Sequence, residues 1–192
     1  MGACALAVIA TSQAATAQVA GPFDLAVIPA SPVWSRDVTV PAGDWTLSFW
    51  ASLDGADGGM LAALAGKDSD TALVSVAVTG GKPVLAANGQ TASGTALRGG
   101  QWHHFALVST AKGLTLSVDG KPAATLAQPL TAQPARLLVG SAPAPAARLA
   151  GLRLDAGVIK ATGTQPDPAL IQFAETSPRW PLQVRQMQGQ VT

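Results

Sequence analysis

The chain has 192 residues, 48% of them hydrophobic and 12% charged, and a formal net charge of +1. That is enough chain for one well-buried domain, and the near-neutral, apolar composition excludes both intrinsic disorder and the basic footprint of a nucleic-acid binder. Tyrosine is absent, Glu175 is the only glutamate, and Gly, Ala, Ser, Thr and Val abound, a mixture suited to short strands and tight turns rather than to long surface helices.

The first predicted element is a leader. Residues 1–17 join a short apolar run to small and polar residues, with Ala15 and Ala17 at the −3 and −1 positions of an A-x-A cleavage site. This predicts a secretory signal peptide and a protein that is secreted or periplasmic, although the leader has no basic n-region. The other reading is a buried N-terminal strand. The run is too short to cross a bilayer, so no stable membrane insertion is expected. Cys4, the only cysteine, lies inside the leader, and the mature chain would therefore rest on its core rather than on a disulfide framework.

From Leu25 onward, short apolar segments recur about every ten residues between turn signals, the spacing of a sandwich or barrel. Strands are predicted over 25–28, 37–40, 45–52, 60–65, 72–78, 83–87, 103–109, 114–118, 136–139 and 147–155. Between them Pro41-Ala42-Gly43, Asp57-Gly58-Gly59, Thr79-Gly80-Gly81, Arg98-Gly99-Gly100 and Asp119-Gly120 carry residues that accept positive φ or fix a turn. The fold class is all-β, an antiparallel β-sandwich over residues 24–160. Beyond it, residues 161–192 read as a linker or the start of a following domain, with Asp167 capping a short helix from Pro168 to Ala174. The last stretch, around Arg179-Trp180-Pro181, reads as an entry into another domain or as a tail packed back on the sandwich.

The most informative stretch is 101–121. Gln101 to Ser109 is a strand without strict alternation, as expected of one covered on both faces. Leu114, Leu116 and Val118 then alternate with Thr115 and Ser117, Asp119-Gly120 supplies a two-residue type I′ turn, and Lys121 begins a return strand. These residues resemble the laminin G-like group of the concanavalin A-like jelly rolls. Its W-x-H-hydrophobic-A-hydrophobic-V strand corresponds to Trp102, His104, Phe105, Ala106, Leu107 and Val108, and its L-x-L-x-V-D-G-K hairpin to Leu114, Leu116, Val118, Asp119, Gly120 and Lys121. The segment from Trp45 to Trp50 is similar to that family's aromatic-ended first core strand, Leu64 to Asp68 to the strand and turn after it, and Leu149 to Leu154 to its closing strand. The resemblance implies two packed antiparallel sheets but no single activity, because lectins, glycosidases, lyases and adhesion modules share the fold.

A retaining glucanase of this fold needs two carboxylates about 5 Å apart, carried on an E-x-D-x-x-E strand. That motif is missing and Glu175 lies outside the sandwich, so no catalytic residue and no enzyme activity are expected of the chain itself. Neither does a G-x-S-x-G nucleophile turn occur. His103 and His104 are consecutive on a strand, point to opposite faces and cannot share one ion or proton. His104 is expected on the Trp102 face as a hydrogen-bonded core residue. Calcium is the most plausible ion, with Asp68 and Asp70 offering two hard oxygens in one loop, unless that loop is a plain polar turn. Asp54 and Asp57 form a second acidic pair and are candidate ligand-binding residues.

Among the indoles, Trp45 and Trp102 begin strands and are expected to pack. Trp34 beside Pro32 and Trp180 beside Pro181 are expected to be exposed and available to stack on a sugar, Trp180 alternatively meeting a following domain. Together these residues predict a secreted, non-catalytic module for carbohydrate binding or adhesion. The alternative is an accessory domain of a larger glycosidase or polysaccharide lyase. Expected partners are a glycan or a catalytic domain in the same polypeptide, and not nucleic acid.

Overall fold

The computed structural model describes residues 18–26, 34–53, 59–69, 71–131, 133–140, 147–159 and 183–186. Its described residues form two antiparallel sheets. The seven-stranded sheet runs, edge to edge, β10 (Lys121–Leu126), β9 (Gly113–Val118), β8 (Trp102–Thr110), β3 (Trp45–Leu53), β12 (Ala147–Ala156), β1 (Gln18–Ala26) and β13 (Gln183–Gln186). The six-stranded sheet runs β2 (Trp34–Thr39), β11 (Pro134–Val139), β4 (Gly59–Gly66), β5 (Ala72–Thr79), β6 (Lys82–Ala87) and β7 (Gln90–Ser93).

Period-two alternation decides what each strand buries. On β3, Trp45, Leu47, Phe49, Ala51 and Leu53 face the other sheet. On β8 the inward set is His103, Phe105, Leu107 and Ser109, and Phe49 opposes Phe105 directly, their rings stacked with centroids 5.2 Å apart. The facing sheet contributes Val74, Val76 and Val78 from β5, Leu85 from β6 and Leu137 and Val139 from β11 to the same cluster. A fully buried Leu or Phe stabilises by roughly 1.5–3 kcal/mol. Apolar burial of this kind holds the sandwich together. Cys4 and the rest of the predicted leader lie outside the described residues.

Hairpins close the register. Asp119 and Gly120 adopt φ 51° and 75° between β9 and β10, and Asn88 and Gly89 adopt 50° and 75° between β6 and β7. Positive φ at both central residues defines the type I′ turn, whose twist matches the flanking strands. The first turn agrees with expectation. The second, together with β7, was not anticipated, because Gln90-Thr91-Ala92-Ser93 has no apolar alternation to mark a strand. At the far edge, β13 pairs antiparallel with β1, from Phe23 opposite Gln186 to Ala26 opposite Gln183. The predicted helix over 168–174 and linker over 163–166 lie outside the described residues.

Candidate functional site

The outer face of the seven-stranded sheet carries the even-numbered residues of β3 and β8. Ser48, Trp50 and Ser52 of β3 stand opposite Ala106, His104 and Trp102 of β8, and opposite Arg153, Ala150 and Arg148 of β12 on the other side. Trp50 and Trp102 are both half-buried. They sit on diagonally adjacent positions of two central strands, Trp50 opposite His104 and Trp102 opposite Ser52.

His104 meets Trp50 edge-on, with ring centroids 4.9 Å apart and planes at 61°. Its Nδ1 is buried and has no hydrogen-bond partner among the described residues. Burial pushes the imidazole below the ordinary histidine pKa of 6.5, and the nearby Asp119 carboxylate partly opposes that shift. The neutral ring therefore holds, below the surface and against Trp50, a nitrogen with unmet hydrogen-bonding capacity. This corrects one expectation: His104 is not a hydrogen-bonded core residue, and it faces away from the core because Phe105 and Leu107 set the inward parity of β8.

His103 fills the role expected of its neighbour. It is 8% exposed, with Nδ1 2.8 Å from Asp119 Oδ2 and Nε2 3.0 Å from the Arg98 carbonyl oxygen. Both neighbours are acceptors, so both contacts are hydrogen bonds at once only in the imidazolium form. Asp119 Oδ1 also accepts the His104 backbone N–H at 2.9 Å, and the Asp119 N–H donates to the His104 carbonyl at 2.9 Å. The turn residue that permits the β9–β10 hairpin thus also fastens it to β8.

At the other end of the same face, Asp155 is fully buried and receives two hydrogen bonds from the Arg153 guanidinium, at 2.7 and 2.5 Å. Thr46, opposite Asp155 on β3, is likewise buried. Its hydroxyl donates to the Gly157 carbonyl at 2.8 Å and accepts the Ile159 N–H at 2.9 Å. Every one of these polar groups is satisfied from within.

The other predicted site residues separate. Trp34 opens β2, pairs in register with Val139 and packs half-buried against the core. It is therefore not the exposed loop indole that Pro32 suggested, because strand pairing draws it onto the sheet. Asp68 is exposed in the turn after β4. Its proposed calcium partner Asp70, the pair Asp54 and Asp57, and Trp180 all lie outside the described residues. Among the described residues no group of three or more His, Cys, Asp or Glu side chains could hold a metal ion. Trp45, expected to pack, is fully buried. Trp50 and Trp102, in the same half-buried range as Trp34, are the outer-face indoles that the sequence analysis left without a site role, and parity held the signal: Trp50 is five positions from the buried Trp45, which places the two on opposite faces.

Residues 30–156 match the laminin G-like family model of the concanavalin A-like lectin/glucanases superfamily. No curated protein matches the chain. Among solved structures it is similar to a native heptameric SAP-like pentraxin from Limulus polyphemus, at 15% identity and TM-score 0.52, over 69% of this chain and 75% of that one. It is also similar to a Trypanosoma rangeli sialidase at 12% identity and TM-score 0.47, over 62% of this chain and 23% of that one. A third similar structure is an alginate lyase of polysaccharide lyase family 7, at 11% identity and TM-score 0.42, over 65% of this chain and 59% of that one. The chain spans only 14% of the length of another sialidase that it matches. At these identities the likeness is one of fold. With more than half of its length matched by the family model and the two-sheet sandwich in place, the chain belongs to the laminin G-like family of the concanavalin A-like lectin/glucanases superfamily.

Proposed function

We propose that the chain is an exported carbohydrate-recognition module that binds glycan on the outer face of the seven-stranded sheet and performs no catalysis itself. The observation that carries this reading is the placement of two half-buried indoles, Trp50 and Trp102, on diagonally adjacent positions of one sheet face. An indole stacks on the apolar face of a sugar ring while nearby polar groups take its hydroxyls. Here the half-buried Ser117 hydroxyl is such a group, while Ser48, Ser52 and His104 Nδ1 lie buried beneath the same face. Absence of catalysis is supported by the carboxylates beside this face. Asp119 is bonded through both oxygens to β8 residues and Asp155 to Arg153, which leaves neither poised as the nucleophile or acid of a glycosidase pair.

A glycan array probed with the purified chain, with and without calcium, tests the reading. Binding of neutral glycans is expected, and Trp50→Ala and Trp102→Ala should each lower its affinity ten-fold or more. Retention of binding by both variants would move the site elsewhere, and hydrolysis of an oligosaccharide by the isolated chain would overturn the non-catalytic part. A calcium requirement lost on Asp68→Asn would support the Asp68–Asp70 ion site. Export is tested by the mature N-terminus, which is expected at Gln18.

A further inference from the structure

We propose a second binding site, on the opposite side of β8 from Trp50 and Trp102, for a saccharide that carries a carboxylate or sulfate group. A groove of about 530 Å³ lies there, between the loop 94–101, the β9–β10 turn and the Pro83 end of β6. Its volume is within the range of about 300–1,000 Å³ typical of small-molecule pockets.

Both walls of the groove are fixed before any ligand arrives. On one side the N–H groups of Gly94, Leu97 and Gly100 donate to the carbonyls of Pro83, Gly81 and Leu53, at 2.9, 2.8 and 2.9 Å. His103 holds the Arg98 carbonyl of the same loop. On the other side Asp119 is anchored to both histidines of β8. A preorganised groove loses less conformational entropy on binding than a mobile loop would.

The chemistry of the lining selects the ligand. Leu97, Pro83 and Pro122 supply apolar surface for the C–H face of a sugar ring, and Gln101 supplies an amide for its hydroxyls. Arg98 and Lys121 also line the groove, are exposed, and have no side-chain partner among the described residues. The one carboxylate, Asp119, already has both oxygens engaged. Two cations against one occupied carboxylate leave the groove net positive. A neutral sugar would leave Arg98 and Lys121 unanswered, whereas a carboxylate or sulfate forms charge-assisted hydrogen bonds with them.

Isothermal titration of the full chain with trigalacturonate, sulfated galactotriose, neutral galactotriose and inorganic sulfate tests the proposal and separates the two anion sources. At least one anionic saccharide should bind ten-fold or more tightly than galactotriose. The double variant Arg98→Gln/Lys121→Gln should lower that affinity ten-fold or more with its thermal midpoint unchanged, while Trp50→Ala leaves it intact. Equal affinity for neutral and anionic saccharides, no binding of either anionic saccharide, inorganic sulfate bound as tightly as the saccharides, or an unaltered double variant would overturn it. Loss of the same affinity in Trp50→Ala would show that the ligand sits on the sheet face and not in the groove.

Discussion

At the Asp155 end of the outer sheet face, each buried polar group finds a partner inside the protein. The Arg153 guanidinium closes on Asp155, and Thr46 bridges the Gly157 and Ile159 backbone. At the Trp50 end of the same strands lie two half-buried indoles, one of them packed against a histidine whose buried Nδ1 bonds to nothing among the described residues. One end is closed by its own hydrogen bonds; the other leaves a buried ring nitrogen unpaired among the described residues. The contrast teaches that polar residues on one sheet face can serve opposite ends, and that hydrogen-bond satisfaction separates them better than residue type does.

If the Asp155 end is structural, breaking it should cost stability. Arg153→Met strands a fully buried carboxylate, and equilibrium urea unfolding should show a loss of about 3–5 kcal/mol. Adding Asp155→Leu should recover most of it, since a matched apolar pair does not leave a buried charge. Thr46→Val removes one hydroxyl that serves two backbone groups and should cost about 1–3 kcal/mol. A loss below about 0.5 kcal/mol in both variants would erase the distinction between the ends.

The Trp50 end should respond in the reverse sense. Trp50→Ala is expected to lower glycan affinity ten-fold or more, about 1.4 kcal/mol of binding, while thermal unfolding shifts less than for Arg153→Met. The smallest effect concerns His104. Because burial lowers its folded-state pKa, folded and unfolded chains are both neutral at this site well above pH 6.5 and it contributes no pH dependence there. As the pH falls below that value the unfolded chain takes up the proton first, so stability declines until the folded-state pKa is passed and then levels off. His104→Phe should remove this acid-side decline, measurable as a flatter plot of unfolding free energy against pH.

Much of the fold was legible because apolar alternation and glycine turns are local signals. Leu114, Leu116 and Val118 declared their face, and Asp119-Gly120 declared its turn. β7 was hidden because Gln90 to Ser93 brings only Ala92 to the core and has no apolar alternation, although Asn88-Gly89 before it is a strong hairpin signal. β13 joins the sheet edge by backbone pairing with β1, which no side-chain pattern announces. The site was less legible. The two histidines exchanged roles: inward parity belongs to Phe105 and Leu107, so His103 is the anchored residue and His104 the one with an unpaired Nδ1. Trp34 was misplaced because a neighbouring proline outweighed its position at the start of a strand. Asp119 was readable as a turn residue but not as the clamp on His103, since that contact spans sixteen positions of sequence.

Two-dimensional NMR of the labelled chain during titration with a glycan identified on the array tests the central claim most directly. Resonances of the Trp50 and Trp102 indole N–H groups and of the His104 ring should shift with a common saturation curve, while the amides of Thr46, Asp155 and Ile159 stay in place. Shifts centred on Thr46 and Asp155, with Trp50, Trp102 and His104 unmoved, would contradict it.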